Sequence, residues 1–214
     1  MPKKLVSKDL EEKILQVAEN LFLKYGYTKT GIRDISRNCK ISVGLIYKIF
    51  KSKDDIFVRI IRKHLKEALN ELNIKISKGS SFEEKLSSFI ECFLNQFIKK
   101  EKLFCLFLTS LGNHFLLDKE RFQLQDISQK FSKILTNIIE IGKLEGKVDK
   151  NIDSYILSEF LLGGIINSIY FLVIEKKKEI SPDFQETIKT ILKQFFSKDE
   201  IKFGGNYEKN SAWS

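Results

Sequence analysis

Ile41–Lys53, ISVGLIYKIFKSK, is the stretch that decides how the rest of the chain is read. Ser42 is a natural helix cap, because its hydroxyl can accept an orphan backbone N–H of the first turn. Ile46, Ile49 and Phe50 then follow at the spacing of an inward helix face. Val43, Gly44, Tyr47 and Lys48 fall on the opposite side. That side is small at its start, so the helix can approach a duplex closely, and it ends in a phenol and an ammonium able to reach phosphates. Ser52 opens the next helix, with Asp55 three residues on in a capping-box pattern. The stretch reads as the second half of a helix-turn-helix.

Charge supports that reading. The chain has 214 residues and a net charge of +9. Residues 1–66 carry 16 Lys+Arg against 7 Asp+Glu, whereas residues 67–214 carry 21 of each. The whole excess lies in the segment with the candidate motif, the electrostatic footprint of a nucleic-acid binder. A soluble lysine-rich surface would give the same net charge, so charge alone leaves both readings open. Cys39, Cys92 and Cys105 are an odd set in apolar patterns without metal-type spacing. They read as reduced core residues of a cytoplasmic protein, and neither a metal nor a cofactor is expected. The opening MPKKLVSKDLEEK lacks the apolar run of a signal peptide. The closing SAWS resembles the start of a streptavidin-binding tag and is set aside.

Working back from the motif, a first helix is expected over about 8–25, with Leu10, Ile14, Val17, Ala18, Leu21, Phe22 and Tyr25 inward and Gly26 as its stop. Thr30 suits the N-cap of a short second helix, with Ile32, Ile35 and Cys39 inward and Arg33 outward. Asp34 in its first turn suits the helix dipole.

This opening resembles the TetR family of transcriptional regulators. The likeness is carried by AENLF at Ala18–Phe22, YGYTKT at Tyr25–Thr30, DIS at Asp34–Ser36 and ISVGLIYKIFKSKDDIF at Ile41–Phe57. It spans roughly residues 8–60. Cys39-Lys40 depart from the small residues, such as Ala-Gly, usual in the family's turn. The resemblance implies an all-α fold: a helix-turn-helix head, placed at 1–52, and a ligand-binding and dimerisation body at 53–203, with a polar tail at 204–214. It further implies that Val43, Gly44 and Lys48 face base edges. Tyr47, Lys53 and Thr30 would hold phosphates beside the cap Ser42, and Arg33 would reach a base or phosphate.

Nine helices are expected in all. A long fourth one, about 53–76, carries a continuous apolar stripe from Ile56 to Ile76 and links head to body. His64 near its middle reads as a satisfied interface histidine. Ser81 and Glu84 form a capping box opening a helix to about Lys100. Further helices are expected over about 103–117, 119–141 and 153–177, and from Ser181-Pro182 onward. Phe89, Phe93 and Phe97 share one side of the fifth helix. With Phe107, Asn167 and Phe171 they are the candidate effector-lining set, although the same rings suit ordinary core packing. Phe160–Ile174 is uncharged but only fifteen residues long, short of the ~20 a bilayer requires, so no membrane span is expected. A helix apolar all round is buried on both sides, and a second subunit is the simplest cover, through the last two helices.

The expected function is that of a ligand-responsive regulator, in the first instance a repressor. It would bind a pseudo-palindromic DNA operator as a homodimer and be released by an apolar or amphipathic effector such as a lipid, acyl chain or drug. The alternative is a DNA-organising protein with little sequence preference and no effector. An enzyme is not expected: the chain has no phosphate loop, metal-ligand spacing or nucleophile–histidine pattern.

Overall fold

A computed structural model describes residues 3–100, 102–103, 118–174 and 190, with side chains described for 8–96, 100, 102–103, 126–127, 129–167 and 190. Among these residues there are seven α-helices and no strand: α1 Lys3–Tyr25, α2 Ile32–Cys39, α3 Val43–Ile49, α4 Lys53–Ile76, α5 Phe82–Lys99, α6 Asp118–Leu144 and α7 Ser154–Ile174. Of the two other expected helices, at about 103–117 and from Ser181-Pro182, only residues 102–103 and 190 are described, and these are helical.

Two hydrophobic clusters form. The first joins Ile14, Ala18 and Phe22 of α1 to Ile35, Cys39, Ile46 and Phe50, and continues along α4 through Ile61. It includes Leu103, beyond the end of α5. Each large apolar side chain so buried contributes about 1.5–3 kcal/mol relative to exposure. The second gathers Leu69 and Leu72 of α4 with α5, α6 and the inner side of α7. Half-buried Leu65 packs against both. The head's core therefore extends past residue 52, and α4 is shared between the two clusters.

Local chemistry sets the boundaries. α1 ends where Gly26 takes φ +87, a left-handed conformation that costs glycine little. The turn then sends Tyr27 inward, where its ring packs 5.2 Å from Phe22 and 5.1 Å from Phe57. Tyr25, expected inward, is instead 52% exposed, with the Lys24 ammonium 5.1 Å from its ring centroid.

The second helix is capped one residue later than expected. Gly31 holds the cap position, and its N–H donates to the Asp34 carboxylate at 2.9 Å. The helix expected over about 119–141, with Gly142 and Gly146 as its closing pair, runs on through Gly142 to Leu144 and turns at Gly146, φ +70. A Cβ on Gly142 would stand 2.7 Å from both Phe82 and Val148. The glycine is there for close approach.

Candidate nucleic-acid interface

The recognition element begins at Ser42, whose hydroxyl accepts the Leu45 N–H at 3.2 Å. Residues 42–50 divide by exposure. Ile46 and Phe50 are buried in the head, while Ser42, Gly44, Tyr47 and Lys48 are exposed and Val43 is half-buried. Tyr47 is 55% exposed, so its ring does not fill the core. A Cβ added to Gly44 would meet no atom within 4 Å. Arg33 is exposed in the first turn of α2.

The turn between α2 and α3 centres on Lys40, the one described non-glycine residue with positive φ, at φ 57 and ψ 45. Its N–H donates to the Arg37 carbonyl at 3.2 Å. The lysine therefore takes the left-handed conformation that glycine adopts most easily. Cys39 beside it is buried, and burial pushes its thiol above the ordinary value, against a lowering influence from Lys13. That environment suits an inert core thiol.

Behind α3 lies a polar brace that periodicity does not reveal. Arg59 of α4 donates to Glu11 of α1 at 2.7 Å, to Asp55 at 2.9 Å and to the Ile49 carbonyl at the end of α3 at 3.3 Å. Its guanidinium also lies 4.9 Å from the Phe50 ring centroid. One cation thus ties α1, α3 and α4 together and satisfies a terminal carbonyl. The only advance sign of it in the sequence is the i,i+4 pair Asp55–Arg59. Asp55 also accepts the Lys51 N–H at 2.9 Å, and the Ser52 hydroxyl accepts the Asp55 N–H at 3.0 Å. Asp54 accepts the Tyr27 hydroxyl. The adjacent acids of α4 are therefore a cap and a tie.

Two candidate phosphate ligands are engaged within the fold. Thr30 is only 2% exposed, and its hydroxyl donates to the Gly26 carbonyl at 2.9 Å. Lys53 donates to the Tyr27 carbonyl at 3.0 Å and lies 4.1 Å from the Tyr27 ring centroid. Partial burial lowers the pKa of its ammonium, with Asp54 opposing.

Of the effector-lining candidates, side chains are described for Phe89, Phe93 and Asn167. Phe89 and Phe93 are buried and stacked, with centroids 5.8 Å apart, and Phe93 meets Phe131 edge-on at 5.8 Å. Asn167 is exposed on α7. Phe107 and the side chains of Phe97 and Phe171 lie outside the described residues. Among the described residues no group of three His, Cys, Asp or Glu is placed to hold a metal ion. No described helix is long and apolar enough to cross a membrane.

A family model described as "Bacterial regulatory proteins, tetR family" matches residues 14–60, the segment containing α2, α3 and the first part of α4. The uncharacterized HTH-type transcriptional regulator YuxN of Bacillus subtilis (strain 168) is 35% identical over 75 residues, 35% of this chain and 25% of that protein. This chain therefore aligns with about a quarter of that relative's length. The fatty acid metabolism regulator protein of the same organism is 20% identical over 165 residues, 77% of this chain and 84% of that protein. The crystal structure of the transcriptional regulator FadR from Bacillus subtilis, in complex with stearoyl-CoA, matches with a TM-score of 0.72 at 18% identity, covering 87% of this chain and 97% of that one. At that identity the likeness is one of fold.

Proposed function

We propose that the chain, whose residues 14–60 match the tetR family model, is a ligand-responsive transcriptional repressor that binds a pseudo-palindromic operator as a homodimer. The observation that carries this reading is the split of α3. Ile46 and Phe50 anchor it in the head while Gly44, Tyr47 and Lys48 face solvent. In this reading Val43, Gly44 and Lys48 meet base edges in the major groove, each good base contact being worth ~1–3 kcal/mol. Ser42, Tyr47 and Lys53 bind phosphates, with Arg33 reaching over from α2. Thr30 holds the turn that presents them. The reading side chains are few and small, so duplex shape contributes to sequence choice.

The proposed dimer forms through the outer side of α7 and the segment after Ser181. α7 buries Leu157, Leu161, Leu162 and Ile165 within the chain but leaves Tyr155, Ile156 and Phe160 exposed. Small Gly163 on the same outer side allows close approach of a partner helix. The proposed effector is apolar or amphipathic, an acyl chain in particular. The phenylalanine-rich body supports it, as does the relative named for fatty acid metabolism. Effector binding favours a dimer whose heads no longer match the half-site spacing, with α4 as the link. The coupling required is ~1–3 kcal/mol.

The test is selection of duplexes from a random pool, followed by competition of the selected site against random duplex. A repressor retains the selected site in excess random duplex, whereas equal displacement by both would show a DNA-organising protein instead. On the selected site, Lys53→Ala should weaken binding and lower the salt slope by about one. An unchanged slope would remove Lys53 from the phosphate ligands.

A further inference from the structure

The Arg59 brace meets α3 at its inner, C-terminal end. α3 is seven residues long, and a helix that short is marginal by itself. Its inward anchors, Ile46 and Phe50, are buried in the head's core. Apolar contact of this kind is non-directional, so it fixes how deep α3 sits but not how it is turned. The Ser42 cap lies within α3's own first turn. Arg59 supplies direction from another helix. Its fork takes both carboxylate oxygens of Asp55, at 2.9 and 3.2 Å, and reaches Glu11 of α1 at 2.7 Å. The nitrogen on the longer Asp55 bond also donates to the Ile49 carbonyl at 3.3 Å. Asp55 is itself held, being 8% exposed and accepting the Lys51 N–H at 2.9 Å. A planar guanidinium serves these acceptors together, which a point-like ammonium does not.

We propose that Arg59 is a positioning residue for sequence reading: it sets the angle at which α3 is presented, and so governs choice among duplexes without meeting DNA itself. This rests on the DNA-binding function proposed above. Base contacts carry sequence choice and depend on that angle, whereas phosphate contacts supply the affinity for any duplex. Loosening α3 therefore lowers the preference for the selected site and leaves binding to random duplex in place. Simple loss of stability acts differently. It lowers the folded fraction, which weakens both affinities by the same factor and cancels in their ratio.

The experiment measures the full chain as wild type, Arg59→Lys and Arg59→Met on the selected site and on random duplex, over a range of salt. Arg59→Lys keeps the charge but not the fork. Its preference for the selected site should fall about tenfold or more, the discrimination of one good base contact. Its affinity for random duplex should stay within about twofold of wild type. Arg59→Met should lose the same preference with an unchanged salt slope. A slope lower by about one would make Arg59 a phosphate ligand and overturn the proposal, as would a wild-type preference in Arg59→Lys. Arg59→Lys alone decides the matter if Arg59→Met does not fold. A second arm needs no DNA. The Phe50 amide closes α3 by donating to the Ile46 carbonyl at 2.8 Å. Its hydrogen exchange in free Arg59→Lys should quicken about fivefold or more relative to the amides of α2, and unchanged relative exchange would overturn the proposal. A wild type without site preference would instead sink the function proposed above, and the exchange arm would still decide whether Arg59 holds α3.

Discussion

At Lys40 a single backbone conformation carries the geometry of the helix-turn-helix. A β-carbon in the left-handed region crowds the neighbouring carbonyl, at a cost of about 1–2 kcal/mol. Glycine avoids that cost but gives the unfolded chain more freedom. The net expectation for Lys40→Gly is a gain of about 0.5–1 kcal/mol, read as a higher urea midpoint with an unchanged slope. A lower midpoint would mean that the lysine side chain contributes something its backbone does not show. Thr30 makes the complementary point. A small polar residue ahead of a helix suggests a cap or a phosphate ligand, yet here its hydroxyl closes the turn after α1 through the Gly26 carbonyl. One residue further on, glycine with Asp34 does the capping. Sequence spacing cannot separate these, because threonine and glycine are both residue types found at helix caps.

Individual helices were legible to different degrees. The inward and outward sides of α3 follow from a 3.6-residue period acting on very different side chains, so Ile46 and Tyr47 separate without ambiguity. The inner face of α1 is legible as far as Phe22. Beyond it the left-handed turn at Gly26 decides which tyrosine enters the core, and Tyr27 wins. The aromatic stripe of α5 marks a buried face but not what shares it, since neighbours come from helices remote in sequence. Gly142 shows the same limit. Glycine late in a helical pattern reads as a stop, whereas here it lets Phe82 and Val148 close onto α6. Alanine has the better helix propensity by ~1 kcal/mol, yet Gly142→Ala must push aside two packed side chains at a cost of about 1–3 kcal/mol. A net loss of stability in urea unfolding is expected. A gain would mean that the contact has room to relax.

For the whole molecule, a basic head and a neutral body were visible in the charge distribution before any coordinate. So was the long fourth helix that links them; the contacts of Arg59 with Glu11 and of His64 with Glu19 were not, because each assembles from separate helices. The outer side of α7 carries the prediction at this scale. Phe160 is 68% exposed within the chain, so Phe160→Glu leaves the fold intact but places a charge where a partner helix is proposed to pack. Native mass spectrometry should find a dimer for the wild type and a monomer for this variant. A variant that stays dimeric would move the interface elsewhere.

The exposed face of α3 meeting duplex DNA is tested most directly at Gly44. Because the free protein leaves open space there, Gly44→Leu should fold at least as stably as the wild type, helped by its better helix propensity. The added side chain would collide only with an approaching duplex. Stability and affinity for the selected site, measured on the same preparation, should therefore separate, with the thermal midpoint unchanged or raised and specific binding lost. Wild-type affinity in a normally folded Gly44→Leu protein would contradict the assignment of α3 to the groove.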